Sequence, residues 1–283
     1  MHHCTTPSPG GPSRRASAAR RLPHVRSLPH HGRAGAANRC RKSVATQFKQ
    51  AGFDLENILL SWSSGKDSAW ALHLLSKLPD ARVTALFTTF NSAADRVAMH
   101  AVRRSLVQEQ AAAVGLPLWP IELPWPCTNL DYENLLTPIF QRAIEQGITA
   151  VAFGDLFLED IRAYRERQLA GTGLKALFPL WQLPTPELAE DMIAAGVRAK
   201  ITCVDPTKLD RSFAGRDFDS SFLNDIPGTV DPCGENGEFH TFIYESPVFK
   251  GPIPVKTGDI VERDKFIFAD VYSVAHTPVS TTV

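Results

Sequence analysis

The chain has 283 residues with 43% hydrophobic content, enough for a sizeable core, yet no apolar run approaches the ~20 residues of a membrane-spanning helix. Its formal charge of zero conceals an asymmetry: residues 1–50 carry ten Lys/Arg and no Asp/Glu, so residues 51–283 hold 20 basic against 30 acidic side chains, a net of −10, which argues against a folded unit that binds nucleic acid generally. The five cysteines (Cys4, Cys40, Cys127, Cys203 and Cys233) are odd in number, widely spread and form no CxxC pair, which argues against a disulfide scaffold or zinc ribbon and for a reducing, cytoplasmic setting.

Residues 1–50 are rich in Arg, Pro, Ser, Gly and His and lack a periodic apolar face. Such a segment buries too little surface to offset its ordering entropy, so a disordered tail is expected. A transit peptide and a nucleic-acid-binding arm would share its charge, but no amphipathic stripe or secretory apolar region is present. A tail without function, translated from upstream of the true start, fits best. From Leu55 onward short apolar runs alternate with helical patterns. Strands are expected at 57–62, 82–90, 117–122 and 149–154, with helices at 68–78, 98–114 and 131–146 between them. That alternation implies βαβ units and a doubly wound parallel α/β sheet, and the continuous apolar run Val83 to Phe87 suits a sheet covered on both faces. Past Asp155 the pattern changes to helices at 159–170 and 185–195 and a strand at 198–204. From Gly228 the chain is Gly/Pro-rich with aromatic and β-branched runs, which suggests antiparallel strands and loops. The expected organisation is a tail (1–50), a nucleotide-binding unit (51–155), a smaller α+β unit (156–275) and a flexible end (276–283).

The stretch Ser61-Trp62-Ser63-Ser64-Gly65-Lys66-Asp67-Ser68 joins the first strand to the first helix. It is not a Walker loop: Leu60 stands five residues before Gly65, where that loop has glycine, and Asp67 follows the lysine where Ser or Thr is required. Small residues at a helix N-terminus still let backbone N–H groups approach phosphate oxygens. Lys66 would add a point charge, Asp67 could hold a phosphate-bridging Mg²⁺, and Ser68 could cap the helix. Lys66 and Asp67 are expected on an exposed turn. Ligand-free turns of the same composition also occur.

The run Ser63 to Ser68 resembles the S-G-G-x-D-S signature of the PP-loop ATP pyrophosphatases, with Ser64 in place of the first glycine. The stretches VAFGDLFLEDIRAYRERQL, LFPLW and DPCGENGEFHTFIYESPVF are together similar to the diphthine–ammonia ligase family, over roughly Leu55 to Pro254. The block Gly234 to Thr241 is the most specific part. The resemblance implies a doubly wound, Rossmann-like sheet with ATP and Mg²⁺ at its carboxyl edge. It also implies cleavage of ATP to AMP and pyrophosphate, activation of a carboxylate as an acyl-adenylate, and displacement of AMP by ammonia. It places phosphates on Ser63, Ser64, Gly65, Lys66, Asp67 and Ser68, adenine near Phe87, Thr88 and Thr89, and the nucleotide against Gly154 and Asp155. Glu235, Glu238 and His240 become candidates for the group that takes a proton from ammonium or holds it. Their plain alternative is a solvated strand edge beside a tight turn, with Glu238 and His240 on one face and Phe239 and Thr241 on the other. In the helix after Asp155, Arg162 and Glu166 have the spacing of a surface ion pair, while Asp160, Tyr164 and Arg165 could line the cleft.

Other functions compete. An RNA-modifying adenylating enzyme would want a basic face or paired cysteines, a sulfonucleotide reductase a reactive C-terminal cysteine, and an ATP sensor no chemistry at all. The acceptor carboxylate and the oligomeric state are not legible.

Overall fold

The computed structural model describes residues 56–274. The tail at 1–50 and the end at 276–283 lie outside the described residues. Five parallel strands make the first sheet in the order β4-β2-β1-β5-β6: β1 (Glu56–Ser61), β2 (Ala81–Asn91), β4 (Leu118–Leu123), β5 (Ala150–Ala152) and β6 (Lys175–Leu177). A two-residue strand, β3 (Arg96–Val97), pairs antiparallel with the end of β2, beyond the last β1 pairing at Phe87. Counting parallel strands in chain order, the sequence across the sheet is third, second, first, fourth, fifth. The direction of winding therefore reverses between β1 and β5, where the loops at the strands' carboxyl ends part and leave a crevice.

Alternation along β1 explains the two covered faces. Ile58 and Leu60 belong to one core, with α1 (Lys66–Leu75) and α2 (Arg104–Val114), while Leu59 belongs to the other, with α3 (Asn129–Glu145) and α4 (Glu159–Leu169). The first core continues without a break into the second sheet. That sheet is antiparallel, β8-β7-β10-β9, built from β7 (Arg198–Val204), β8 (Phe239–Glu245), β9 (Val255–Arg263) and β10 (Phe266–Ser273). Two further helices, α5 (Thr185–Ala194) and α6 (Ser220–Asp225), pack into the same core through Leu188, Met192 and Phe222.

A polar network joins the sheets. Gln110 on α2 is fully buried. Its Oε1 accepts from Trp62 Nε1 (2.8 Å), and its Nε2 donates to Ser64 O (3.0 Å) and Ile243 O (2.7 Å). The N–H of Ile243, on β8, also donates to Ser64 O (3.0 Å). A second tie links Arg96 and Arg103 to Asp270 on β10, with Arg96 Nη1 2.9 Å from Oδ1.

Three expectations change, and the Ser64 position shows how a serine fills a glycine's place. The first sheet runs past residue 155, because β6 pairs with β5 at 175–177; three residues are too few to show a period of two. The helix expected at 98–114 starts only at Arg104, since Met99 (φ 63°) and Ala101 (φ 54°) take left-handed conformations that break it. Lys66 is 2% exposed, not on an open turn. Ser64 takes φ 71°, the left-handed region where glycine is at ease, and the double hold on its carbonyl keeps it there. No helix among the described residues is long and apolar enough to cross a membrane.

Replacing Gln110 by Leu leaves the Trp62 indole N–H and one bond each to the Ser64 and Ile243 carbonyls without a partner in a dry interior. We expect this to lower unfolding free energy by about 3 kcal/mol, read from urea denaturation, whereas a loss under about 1 kcal/mol would show that the joint is dispensable.

Candidate active site

The crevice between β1 and β5 is a cavity of about 240 Å³ whose wall the two sheets share. From β1 and the turn after it come Ser61, Ser63, Lys66, Asp67 and Ser68; from the end of β5, Phe153, Gly154 and Asp155; and from α4, Arg165. The second sheet and the loop before β8 add Cys233, Gly234, Glu235, Gly237, Phe239, His240 and Thr241, and His100 enters from the turn before α2.

The turn opens α1 with Gly65 as N-cap in extended conformation and with no side-chain cap bond, so the first-turn N–H groups are not all satisfied by the chain's own cap. Thr241 Oγ1 accepts from the Lys66 N–H (3.1 Å) and thereby fixes the turn against β8. Two glycines keep the approach clear. A Cβ on Gly154 would lie 3.1 Å from Ser68 N, and one on Gly65 would lie 3.1 Å from His100 Cε1 and 3.2 Å from Thr241 O. Both are tighter than ordinary van der Waals contact, so a side chain at either position would push its neighbours back by a few tenths of an ångström.

The Lys66 ammonium lies among the rings of Phe218 and Phe239, 5.6 and 5.4 Å from their centroids. It donates to both oxygens of Asp67 (3.0 and 2.9 Å) and to the carbonyl of Cys233. Burial opposes its charge, but Asp67, with Cys233 and Glu235 adding to it, outweighs that and holds the ammonium above the usual lysine range. Asp155 Oδ2 and Arg165 Nε, 3.7 Å apart, face each other with no hydrogen-bond partner among the described residues. Burial raises the Asp155 carboxyl against the pull of Arg165. The Arg165 Nη1 donates to the Tyr132 hydroxyl (3.3 Å), and its guanidinium stacks 5.0 Å from the Phe153 ring.

Glu235 Oε1 accepts from the N–H of Leu156 (2.7 Å), which ties the loop before β8 to the segment after β5. Burial, with the charges of Asp67 and Asp155 adding to it and the Leu156 hydrogen bond opposing, pushes its carboxyl up to about 7. His240 goes the other way: burial, then the neighbouring His100 and Lys66, pull it down to about 3. The carboxylate can thus exchange a proton near neutrality, and the imidazole stays uncharged.

Of the residues expected here, Ser63, Lys66, Asp67, Ser68, Gly154, Asp155, Glu235 and His240 line the cavity, and Gly65 packs against its wall. Ser64 lies beneath it, fully buried. Glu238 stands apart. It is 3% exposed and outside the lining, and its Oε1 braces the preceding turn by accepting from Asp231 N and Asn236 Nδ2, each at 3.1 Å. Strict alternation fails because β8 begins only at Phe239; Phe239, His240 and Thr241 all reach the cavity. Phe87, Thr88 and Thr89 are also outside the lining: Phe87 packs edge-on against Phe140, and Thr88 Oγ1 donates to Trp62 O (2.7 Å). In α4, Arg165 reaches the site while Asp160 and Tyr164 do not, and Arg162 pairs with Glu166 (2.8 Å) as its spacing predicts. His100 left no signal in the sequence, since it lies in a run that reads as helix.

Residues 57–176 match a family model described as the diphthamide synthase N-terminal domain, and residues 184–274 match one described as the diphthamide synthase C-terminal domain. Among curated proteins, the chain is 30% identical over 148 residues to the diphthine–ammonia ligase of Schizosaccharomyces pombe, over 48% of this chain and 24% of that one. It is 29% identical over 150 residues to that of Homo sapiens, covering 51% and 56% of the two chains. It is 27% identical over 187 residues to that of Danio rerio, covering 60% and 73%. The chain thus spans about a quarter of the first relative and just over half of the second. A solved structure, the U34-tRNA thiolase NcsA from Methanococcus maripaludis, aligns with TM-score 0.37 and 15% identity over 58% of this chain and 68% of that one. The fold described above rests on its own strand order, not on that likeness.

The Glu235 shift carries a sign. Its carboxyl stays protonated up to about 7 in the folded chain, against an ordinary value of 4.5. The stability this gives in acid is lost as pH rises from 4.5 to 7. Glu235→Gln keeps an acceptor for Leu156 and does not ionise. It should therefore gain on the wild type by about 1–2 kcal/mol between pH 5 and pH 8, the full linkage being discounted for partial exposure. Thermal melts at the two pH values give the answer, and a constant difference between the proteins would contradict the shift.

Proposed function

For a chain that belongs to the PP-loop diphthine–ammonia ligase family, we propose that it is an ATP-dependent, amide-forming ligase. A carboxylate oxygen attacks the α-phosphorus of ATP, the bond to the β-phosphate breaks, and an acyl-adenylate and pyrophosphate result. The nitrogen lone pair of ammonia then forms the C–N bond as the C–O bond to AMP breaks, and the extra proton on nitrogen passes to a base. The observation that carries this reading is the buried Lys66 ammonium at an uncapped helix start, with the glycine at 154 leaving that start open.

In this reading Ser63, Ser68 and the first-turn N–H groups of α1 hold the pyrophosphate end. Lys66 supplies the charge, and a phosphate oxygen takes the place that the Cys233 carbonyl occupies at its ammonium. The described residues contain no cluster of three His, Cys, Asp or Glu set to hold a metal by themselves. A Mg²⁺ would therefore be held by the phosphates together with Asp67, where it would neutralise charge on the transferring group. Asp67, Asp155 and Glu235 make the rest of the cavity attractive to ammonium, and Glu235, poised near 7, can take its proton. Glu238 serves this scheme by bracing the turn that presents Glu235, not as the base. The two thiols of the second sheet region weigh against sulfur transfer: burial pushes Cys203 up to about 12 and Cys233 higher still.

The test is chromatography of products after incubation with ATP, Mg²⁺, ammonium and a cell extract as acceptor source. AMP and pyrophosphate should form, rising with acceptor, and Asp67→Asn should reduce their formation about 100-fold. ADP and phosphate would overturn the reading. Tight ATP binding with neither pair of products would favour a sensor.

A further inference from the structure

Beside the charged groups, hydroxyls and phenylalanine rings of the cavity wall stand two imidazoles, His100 and His240. His100 reaches the wall because residues 98–103 are not helical: Met99 and Ala101 are left-handed, and the flanking Arg96 and Arg103 are both held by Asp270. Met99 consequently points outward, 57% exposed, while His100 turns in. Its Nδ1 is 3.1 Å from Thr241 O. A carbonyl only accepts, so Nδ1 carries the ring hydrogen and Nε2 bears the lone pair. The His240 ring lies against it, centroids 4.7 Å apart and planes 36° from parallel.

We propose that His100 and His240 together seat the ammonia that attacks the acyl group, each imidazole accepting one of its N–H bonds and leaving its lone pair free. This rests on the amide-forming reading and adds to it a contact residue and a basis for selecting ammonia over ammonium. Once Glu235 has taken the proton, the neutral amine needs a seat away from the carboxylates, which favour the charged form. Near the Lys66 ammonium the balance reverses, because a second cation is repelled there while a neutral amine is not. Burial keeps both rings from taking that proton themselves: it lowers His100 to about 4, against the hydrogen bond to Thr241, and His240 to about 3. The cavity is graded, with Asp67, Asp155 and Glu235 receiving the cation and the imidazole pair holding the neutral nucleophile. His100→Asn retains a donor for Thr241 O but removes the ring acceptor, which makes it the informative variant.

The experiment follows the ¹⁵N signals of the histidines in the full-length protein during titration with ammonium chloride, with potassium chloride as control, at pH 8 and pH 9. The Nε2 signals of His100 and His240 should shift saturably with ammonium and not with potassium, at lower total ammonium at pH 9. In His100→Asn the His240 response should need roughly tenfold more ammonium, the value of about one hydrogen bond. Absence of an ammonium-specific shift in the wild type overturns the proposal, and so does an unchanged His240 response in a folded His100→Asn. If that variant does not fold, His240→Asn with the His100 signal as readout replaces it. Since no turnover is involved, a shift in a protein that makes no AMP sinks the ligase reading alone. AMP formation without a shift sinks the ammonia seat alone.

Discussion

The carbonyl of Ser64 is the point on which the site depends. It accepts from Gln110 on α2 and from the N–H of Ile243 on β8, so one oxygen at the tip of the first βα turn is held by a helix packed on the first sheet and by a strand of the second. A serine at φ 71° would otherwise relax toward negative φ, at a gain of about 1–2 kcal/mol. Held as it is, the chain turns sharply out of β1 and delivers Gly65, Lys66 and Asp67 to the start of α1. Thr241, two residues before Ile243 on the same strand, secures the next step by accepting the Lys66 N–H. The turn is therefore not the property of the first sheet. Its shape is completed by β8.

That joint explains how charges of opposite sign come to share a small, largely buried space. Lys66 could not remain ionised among two phenylalanine rings without Asp67 and a backbone carbonyl at its ammonium. Asp155 and Arg165 approach each other without completing a hydrogen bond. Among the described residues, the Glu235 carboxyl accepts only from backbone N–H groups. The result is a site whose polar groups are placed but incompletely paired, which is the state expected of groups that meet a ligand. A fully paired network would be more stable and would have nothing to offer a phosphate or an amine.

Much of this was legible in the sequence, and the physical reason is periodicity. Long apolar strands and amphipathic helices announced the doubly wound sheet, and Leu60 and Asp67 set the turn apart from a Walker loop, while its reading as a phosphate loop came from the resemblance to the PP-loop signature. What escaped detection is local and short. β6 has three residues and β3 two, below the length at which alternation can be recognised. His100 lies in a stretch whose composition favours helix, and only tertiary contacts to Thr241 and Asp270 override that preference. Glu238 became a candidate through the resemblance, and its side chain is buried against the turn at Asp231 and Asn236, outside the cavity wall; the two-faced alternation expected of that segment does not hold because β8 begins only at Phe239. Phe87 to Thr89 were assigned by resemblance to an adenine-binding surface; Phe87 and Thr88 are buried in β2, and none of the three lines the cavity.

The central claim is that the turn at Ser63 to Ser68, completed by the second sheet, grips the pyrophosphate end of ATP. A crystal structure with Mg²⁺ and a nucleotide analogue whose α,β bridge cannot be cleaved tests it directly. The account predicts β- and γ-phosphates against the Lys66 ammonium and the first turn of α1, with the Cys233 carbonyl displaced from Lys66. Phosphates bound elsewhere, with the Lys66 to Cys233 contact intact, would contradict it.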